Sequence, residues 1–161
     1  MKLYYDKPET LSAAISGERR GIVNREILFR GKSIGTAEWV EGFYCGGNER
    51  KTLRPCIFVY RPDRQSYDCQ DIIPETVGQY TGMTDKNGVR IFEGDIVTYK
   101  IPFTDKVVKT ETGTVIYDGC GFHIKDDGCM LRVADEKCEI QVIGNIYDNP
   151  DLLEVSGKNE Q

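Results

Sequence analysis

The sequence predicts a mostly β protein with minor α content. From Asn24 onward, short runs of β-branched and aromatic residues alternate with Gly, Pro, Asn and Asp, the pattern of closely spaced strands and turns. Hydrophobic residues make up 39% and charged residues 29% of the 161-residue chain, which is typical of a soluble globular protein. This length suits one ordinary domain, or two small lobes with a common core. Strands this short and this close together favour a small sandwich or barrel.

The N-terminal half contains three predicted strands and one predicted short helix. The first strand has a period of two, with Ile27 and Phe29 on one face and Leu28 on the other. The helix is predicted because proline is tolerated in a first helical turn. The strands are REILFRG (25–31), TAEWVEGFYCGG (36–47) and PCIFVYRPD (55–63), and the helix begins in DIIPETVG (71–78).

The C-terminal half contains four further strand candidates, and turn residues separate them at short intervals. They are RIFEGDIVTYK (90–100), TGTVIYDG (112–119), GFHIKD (121–126) and EIQVIGNIYD (139–148).

The most patterned segment is YTGMTDKNGVRIFEGDIVTYK (80–100), which combines acidic residues with glycines. Asn87-Gly88 is a dipeptide that tolerates the positive φ of tight turns. Asp85 is expected to accept a hydrogen bond from a backbone N–H two residues on. Gly94-Asp95 is expected to interrupt the next strand as a bulge or bend. The segment is similar to the start of a calcium loop but lacks the spacing that ends in a bidentate Glu. We therefore predict a turn and no metal site.

Charge and hydropathy restrict the function classes. The net charge is −5, and a general binder of the phosphate backbone needs uncompensated Lys and Arg. The sequence has no run of about 18 apolar residues that could cross a membrane, and its N-terminus lacks the apolar core of a signal peptide. A cytoplasmic protein with no membrane partner is expected.

The six cysteines and the single histidine do not form a recognisable ligand set. None of the cysteines lies in the close pair that structural zinc sites use. We expect reduced, partly buried thiols. A nucleophile pair of Cys120 and His123 is the alternative, since activation requires only hydrogen-bond reach. The cysteines are Cys45, Cys56, Cys69, Cys120, Cys129 and Cys138.

Several segments together resemble the YopX family, a group of small proteins found mainly in phages and prophages. The matching segments are REILFRGKS (25–33) with EWVEGFY (38–44), PETVGQYTGMTDKNG (74–88), RIFEGDIV (90–97) and IGNIYDNPDLL (143–153). Variable stretches lie between Tyr44 and Asp71 and between Lys100 and Thr114. The resemblance implies a mostly β fold with a C-terminal SH3-like barrel, self-association, and a bacterial host cytoplasm as the location. It implies no reaction, catalytic residue or cofactor.

The resemblance also indicates how the chain is divided. Residues 1–23 form an N-terminal extension, in which PETLSAAISGERRG allows a short helix. The domain covers residues 24–153, with an N-terminal β lobe (24–79) and an SH3-like barrel lobe (80–153). Residues 154–161 are polar and small, which predicts a disordered tail.

The positions that match the family's motifs are mainly glycines, turn formers and aromatic residues. A role in packing and turns accounts for most of them. They are Trp39, Gly42, Thr81, Gly82, Asp85, Asn87, Gly88, Glu93, Gly94, Asp95, Gly144, Asn145 and Tyr147.

Trp39 is the only tryptophan, and in a regular strand it shares a face with Ala37, Glu41 and Phe43. We expect it in the core; an exposed Trp39 would instead be an interface anchor. Asn145 and Asp148 are expected to shape the last turn.

Basic residues surround the first predicted strand. Arg25, Arg30 and Lys32 could form an anion-binding edge. The favoured interpretation is that glutamates neutralise them across strands, each pair contributing about 0.2–1 kcal/mol. The glutamates are Glu26, Glu38 and Glu41.

Three classes of function remain. The first is a non-enzymatic phage or prophage accessory protein, expected to form a homo-oligomer, that binds a host or phage protein. The second is a protein that sequesters a small nucleotide in a counter-defence role, since aromatic and Arg residues permit stacking and phosphate binding. The third is a nucleic-acid-binding SH3-like module, which the charge opposes. An enzyme is not expected, because the residues offer no nucleophile with an acid/base and oxyanion partner.

Overall fold

A computed structural model describes residues 26–47, 53–104, 107–119, 121–126, 130–132 and 139–154. Within these ranges the chain forms two antiparallel sheets with little helix, which confirms the mostly β prediction. The predicted N-terminal extension (1–23) and residues 155–161 of the predicted tail lie outside the described residues.

The first sheet has six strands in the order β4-β3-β2-β1-β5-β6. A 3-10 turn, Pro74–Thr76, stands where the short helix was predicted, between β4 and β5. The strands are β1 Phe29–Lys32, β2 Trp39–Cys45, β3 Cys56–Arg61, β4 Ser66–Asp71, β5 Gly78–Thr84 and β6 Arg90–Phe92.

The second sheet has five strands in the order β10-β9-β8-β7-β11. Among these described strands, β10 and β11 stand at the two ends of the order and are not paired with each other. The SH3-like barrel therefore stays a prediction. The strands are β7 Asp95–Thr104, β8 Val107–Asp118, β9 Gly121–Lys125, β10 Met130–Arg132 and β11 Glu139–Asn145, and a one-turn helix α1, Asp151–Glu154, follows.

The larger buried cluster lies on one face of the second sheet. Alternate residues of β7 to β9 point into it, as the period of two in a strand requires. Ile91 of β6 belongs to the same cluster, so the first sheet contributes to this core. Each large apolar side chain buried here stabilises the fold by about 1.5–3 kcal/mol. The members are Ile91, Val97, Tyr99, Val115, Phe122, Ile124 and Ile140.

The boundary between the sheets differs from the boundary between the predicted lobes. β5 and β6 were expected in the C-terminal lobe (80–153), but both pair within the first sheet. The chain passes from one sheet to the other at Glu93-Gly94, where Gly94 has φ of 81°. The predicted interruption of the strand over 90–100 is confirmed, and it separates β6 from β7.

The first strand is shorter than the sequence predicted. β1 begins at Phe29, and Ile27 is 58% exposed while Leu28 is buried. The strand predicted over 36–47 likewise begins at Trp39, because Ala37 has a left-handed backbone with φ of 58°.

The turn at Asp85 is fastened to the second sheet. The predicted bond is confirmed, because Oδ1 of Asp85 accepts the N–H of Asn87 at 2.7 Å, and it also accepts that of Val89 at 2.9 Å. Gly88 provides the positive φ, 81°. Oδ2 accepts the N–H of Val142 in β11 at 3.1 Å. Burial opposes ionisation, but these backbone N–H groups outweigh it and hold the pKa of Asp85 below its ordinary value.

Gly42 lies where β2 approaches β3 too closely for a side chain. A Cβ at this position would stand 2.1 Å from the carbonyl oxygen of Phe58, so Gly42→Ala must displace backbone. We expect the free energy of unfolding to fall by about 1–3 kcal/mol, measured by urea denaturation. Gly35→Ala is the control, because the nearest atom, Oγ of Ser33, is 3.9 Å away. Equal stability of the two variants would contradict this packing.

Candidate functional site

The family-like segments converge where the two sheets meet. Arg30 of β1 and Asp95, the first residue of β7, form an ion pair at 2.5 Å, and their side chains are only 12% and 1% exposed. Lys32, Trp39, Tyr147 and Asp148 surround this pair on one side. We call these six residues the junction: Arg30, Lys32, Trp39, Asp95, Tyr147 and Asp148.

Two aromatic rings enclose the Arg30 guanidinium. Its Cζ lies 4.8 Å from the ring centre of Trp39 and 5.0 Å from that of Phe92, distances at which a cation is attracted to the ring face. Nη2 also donates to the carbonyl oxygen of Glu93 at 3.4 Å. Asp95 in turn accepts the N–H of Phe92 at 2.7 Å. The pair therefore fixes the turn that carries the chain between the sheets.

Burial raises the pKa of Asp95, and the charge of Arg30 and the Phe92 N–H offset only part of this effect. Taking a carboxylate out of water is costly unless a cation compensates it. The ionised form of Asp95 therefore depends on Arg30, and the pair acts as one unit.

Asp148 joins the last turn to β1 and β2. Its Oδ1 accepts from Nζ of Lys32 at 2.5 Å, and Oδ2 accepts from Nε1 of Trp39 at 2.6 Å and Nδ2 of Asn145 at 3.1 Å. These bonds lower the pKa of Asp148 to about 2, because each stabilises the carboxylate.

Tyr147 closes the other side of Trp39. The two ring centres are 5.9 Å apart, and the Tyr147 hydroxyl donates to the carbonyl oxygen of Glu75. Asn145 shapes this turn as predicted, since its Oδ1 accepts the N–H groups of Tyr147 and Asp148, each at 3.0 Å. A Cβ at Gly144 would stand 2.6 Å from Oδ1 of Asn149 and 2.9 Å from Cδ1 of Leu152, so a larger residue there must displace these side chains.

The expected environment of Trp39 was wrong in part. The side chain is half-buried, and it covers Arg30 instead of entering an apolar core. The cause is local, because the indole N–H donates to the Asp148 carboxylate at the surface. β2 begins at Trp39, so Ala37 does not share its face, whereas Glu41 and Phe43 do.

The basic residues near β1 are neutralised, but by other partners than predicted. Arg30 pairs with Asp95 and Lys32 with Asp148, whereas Glu41 and Glu26 bind Arg90. A free anion-binding edge is therefore wrong for Arg30 and Lys32. Arg25 lies outside the described residues.

Other predicted motif residues hold β5 and the turn after β6. The hydroxyl of Thr81 donates to the carbonyl oxygen of Ile91 at 2.9 Å, and Gly82 has φ of 88° where the pairing of β5 with β6 is irregular. The backbone N–H of Glu93 donates to Gln79 at 3.0 Å. These contacts hold β5, β6 and the turn after β6 together.

A surface that the sequence interpretation missed lies on β2 to β4. Four half-exposed aromatic side chains share one face of these strands, and with the residues beside them they line a groove of about 310 Å³. The exposed fractions are 52% for Phe43, 36% for Phe58, 50% for Tyr60 and 53% for Tyr67. We call this the aromatic groove; its other lining residues are Glu26, Leu28, Glu41, Gly42, Val59 and Arg90. The alternation in β2 to β4 could have shown this face, had β4 been predicted.

The ring of Tyr67, on the edge strand β4, lies at one end of the aromatic groove beside the rings of Phe43 and Tyr60. Its centre is 5.9 Å from that of Phe43 and 5.2 Å from that of Tyr60. At the other end, Arg90 donates to Glu41 at 2.8 Å and to Glu26 at 3.4 Å. Exposed aromatic side chains grouped in this way are typical of contact surfaces.

The thiols and the histidine do not build a reactive centre in the part of the chain that the structure describes. Cys45, Cys56 and Cys69 are free thiols, and burial raises the pKa of Cys56 to about 12, which disfavours the thiolate. Cys120, the proposed partner of His123, lies outside the described residues. Across the described ranges, no three His, Cys, Asp or Glu side chains are grouped so as to hold a metal ion.

No helix among the described residues is long and apolar enough to span a bilayer.

The Arg30–Asp95 pair should dominate stability at the junction. Arg30→Met leaves Asp95 buried without a cation, and we expect unfolding by urea at pH 7 to show a loss of about 3–5 kcal/mol. The loss should shrink at acidic pH, where Asp95 binds a proton.

Arg54→Met is the matched control for Arg30→Met. Arg54 stands 3.8 Å from Asp71 with 74% of its side chain exposed, so its loss should change stability by no more than about 1 kcal/mol. Similar losses in the two variants would contradict the role of burial.

Trp39 reports the ionisation of Asp148, because it is the only tryptophan and its indole bonds the carboxylate. The folded pKa of about 2 lies below the ordinary 3.8. The stability from this bond is therefore present above about pH 4 and is lost as pH falls through about 2. We expect a fluorescence titration with a midpoint near pH 2, absent in Asp148→Asn, while circular dichroism confirms the folded state. A midpoint near pH 4 would refute the contact.

Comparison with known proteins gives a family and a solved structure. The family described as YopX protein matches residues 28–154. No curated protein matches the sequence. A crystal structure of protein EF1440 from Enterococcus faecalis is similar at 23% identity and a TM-score of 0.45, over 80% of this chain and 98% of that one. The family match covers most of the chain, and the chain therefore belongs to the YopX family.

Proposed function

We propose that this chain is a non-catalytic binding protein, and that the aromatic groove is the surface that contacts its partner. The observation that carries the proposal is the group of Phe43, Tyr60 and Tyr67, in which the Tyr67 ring neighbours the other two while each ring stays about half exposed. Aromatic side chains with one free face are the usual anchors of protein interfaces.

The hydrogen bonds and ion pairs of three aspartates support a binding role over catalysis. Asp85 is occupied by backbone N–H groups, Asp95 by Arg30, and Asp148 by Lys32 and Trp39. An acid/base catalyst needs a group that can reach substrate and change its protonation near neutral pH. These three carboxylates are engaged in holding the fold.

The family's origin supports a phage- or prophage-encoded accessory protein that acts in the bacterial host cytoplasm on a host or phage protein. Self-association is part of the proposal. Its support is β4, the outermost of the described strands at one edge of the first sheet, since an unpaired strand edge can pair with another chain.

A small nucleotide is the second candidate ligand, because Arg90 and the exposed rings line the same groove. The two carboxylates that already bind Arg90 weaken this alternative, since a phosphate would meet them as well. A nucleic-acid partner is weaker still at a net charge of −5.

The groove can be tested with two tyrosines of equal exposure. Tyr67 in the groove and Tyr117 on the second sheet are each 53% exposed. We expect tagged wild-type protein and Tyr117→Ser to co-purify the same protein from host cells. Tyr67→Ser should retain about thirtyfold less of it, because an anchor worth about 2 kcal/mol contributes about that factor to the affinity. Quantitative mass spectrometry measures the amount. Equal retention by both variants would refute the groove as the contact surface, provided that both melt as the wild type does.

A further inference from the structure

We infer that the aromatic groove binds a protein segment through a cationic side chain, an arginine whose guanidinium lies against Tyr67. This inference rests on the proposed function and gives its partner a chemistry. Three observations carry it: the exposed aromatic rings, the charge of the groove, and the way the chain's own Arg90 is bound there.

The exposed aromatic rings provide the apolar half of such a site. The ring of Tyr67 neighbours those of Phe43 and Tyr60. The planes of these two rings are tilted by 56° and 54° to the plane of Tyr67, so the three rings are not stacked in parallel. A guanidinium or ammonium within about 6 Å of a ring centre is attracted to the negative ring face. Each of these rings is at least 50% exposed and accessible to a partner.

The charges in the groove favour a cation. Its charged lining residues are Glu26, Glu41 and Arg90, so their sum is −2 + 1 = −1, and the whole chain carries −5. The bonds to Arg90 engage Oε2 of each glutamate. Both glutamate side chains are exposed, 56% for Glu26 and 44% for Glu41, so each carboxylate can accept a further bond.

Arg90 shows how the groove holds a guanidinium. Its Cζ lies 5.6 Å from the ring centre of Tyr80, and the two glutamates bind its Nη atoms. The same combination of ring and carboxylate recurs along β2, where Phe43 is two residues beyond Glu41. Two residues of a strand span about 7 Å, the reach of one arginine side chain. A partner arginine over Tyr67 and Phe43 can therefore bond Glu41 as well.

The occupant is a peptide segment and not a nucleotide, for a physical reason. A nucleotide could stack on the rings, but its phosphate would lie near two carboxylates and the cation beside them is already paired. The negative charges of the phosphate and the carboxylates would repel each other. An arginine can make a cation–π contact with the rings and hydrogen bonds to the carboxylates.

The test uses the full chain labelled with nitrogen-15 and two blocked pentapeptides, Gly-Arg-Gly-Arg-Gly and the same peptide with citrulline for arginine. Citrulline keeps the shape and removes the charge. We expect the arginine peptide to shift the amide signals of β2 to β4 saturably. We expect the citrulline peptide to bind at least about fivefold more weakly, the ratio that a cation–π contact of about 1 kcal/mol provides.

Two tyrosine variants distinguish a cation–π contact with the ring from simple burial of apolar surface. Tyr67→Leu keeps apolar surface but removes the ring, so it should weaken the arginine peptide at least about fivefold, while Tyr117→Leu should leave the affinity unchanged. Glu41→Gln should weaken it too and reduce its dependence on salt.

Three results would overturn the inference: equal binding of the two peptides, no saturable shifts in β2 to β4 with the arginine peptide, or tighter binding of adenosine monophosphate at the same amides. These failures are distinguishable from failure of the proposed function. If the co-purified partner still depends on Tyr67, the groove remains the contact surface and only the cationic chemistry is wrong. If partner capture ignores Tyr67, the proposed function itself fails.

Discussion

The ion pair between Arg30 and Asp95 is the interaction on which the two sheets depend. Neither charge is stable in this buried position alone, because desolvation outweighs what either gains without the other. Asp95 stands at the first residue of β7 and also accepts the Phe92 N–H, so the pair fixes how the second sheet leaves the first. Trp39 covers the guanidinium, and Asp148 holds Trp39. The arrangement is layered: an inner pair, an aromatic cover, and an outer carboxylate that keeps the cover in place.

The scaffold and the proposed contact surface occupy different segments. The family-like blocks supply the junction and the turn at Asp85. Phe58, Tyr60 and Tyr67 instead lie between Tyr44 and Asp71, which is outside those blocks. A rigid frame with recognition residues on a separate hairpin is a common division of labour in binding domains. It allows the β3–β4 hairpin to change without disturbing the buried charges.

Local signals in the sequence predicted local structure well. A dipeptide that tolerates positive φ, with an Asx side chain two residues before it, was enough for the Asp85 turn. The strand β4, SYDCQD, was not recognised, because its polar residues carry no hydrophobic period and its position comes from pairing with β3. The partners of the basic residues were also not predictable. Glu41 is the cross-strand neighbour of Arg30, yet burial selects Asp95 as the partner of Arg30, and long-range folding brings Arg90 to Glu41.

The bond between Trp39 and Asp148 joins residues 109 positions apart, and that between Lys32 and Asp148 joins residues 116 apart. During synthesis, the six strands of the first sheet leave the ribosome long before this acceptor exists. Folding dominated by such distant contacts is slow. Until Asp148 has been synthesised, Trp39 and Lys32 therefore lack the carboxylate that pairs with them in the folded protein.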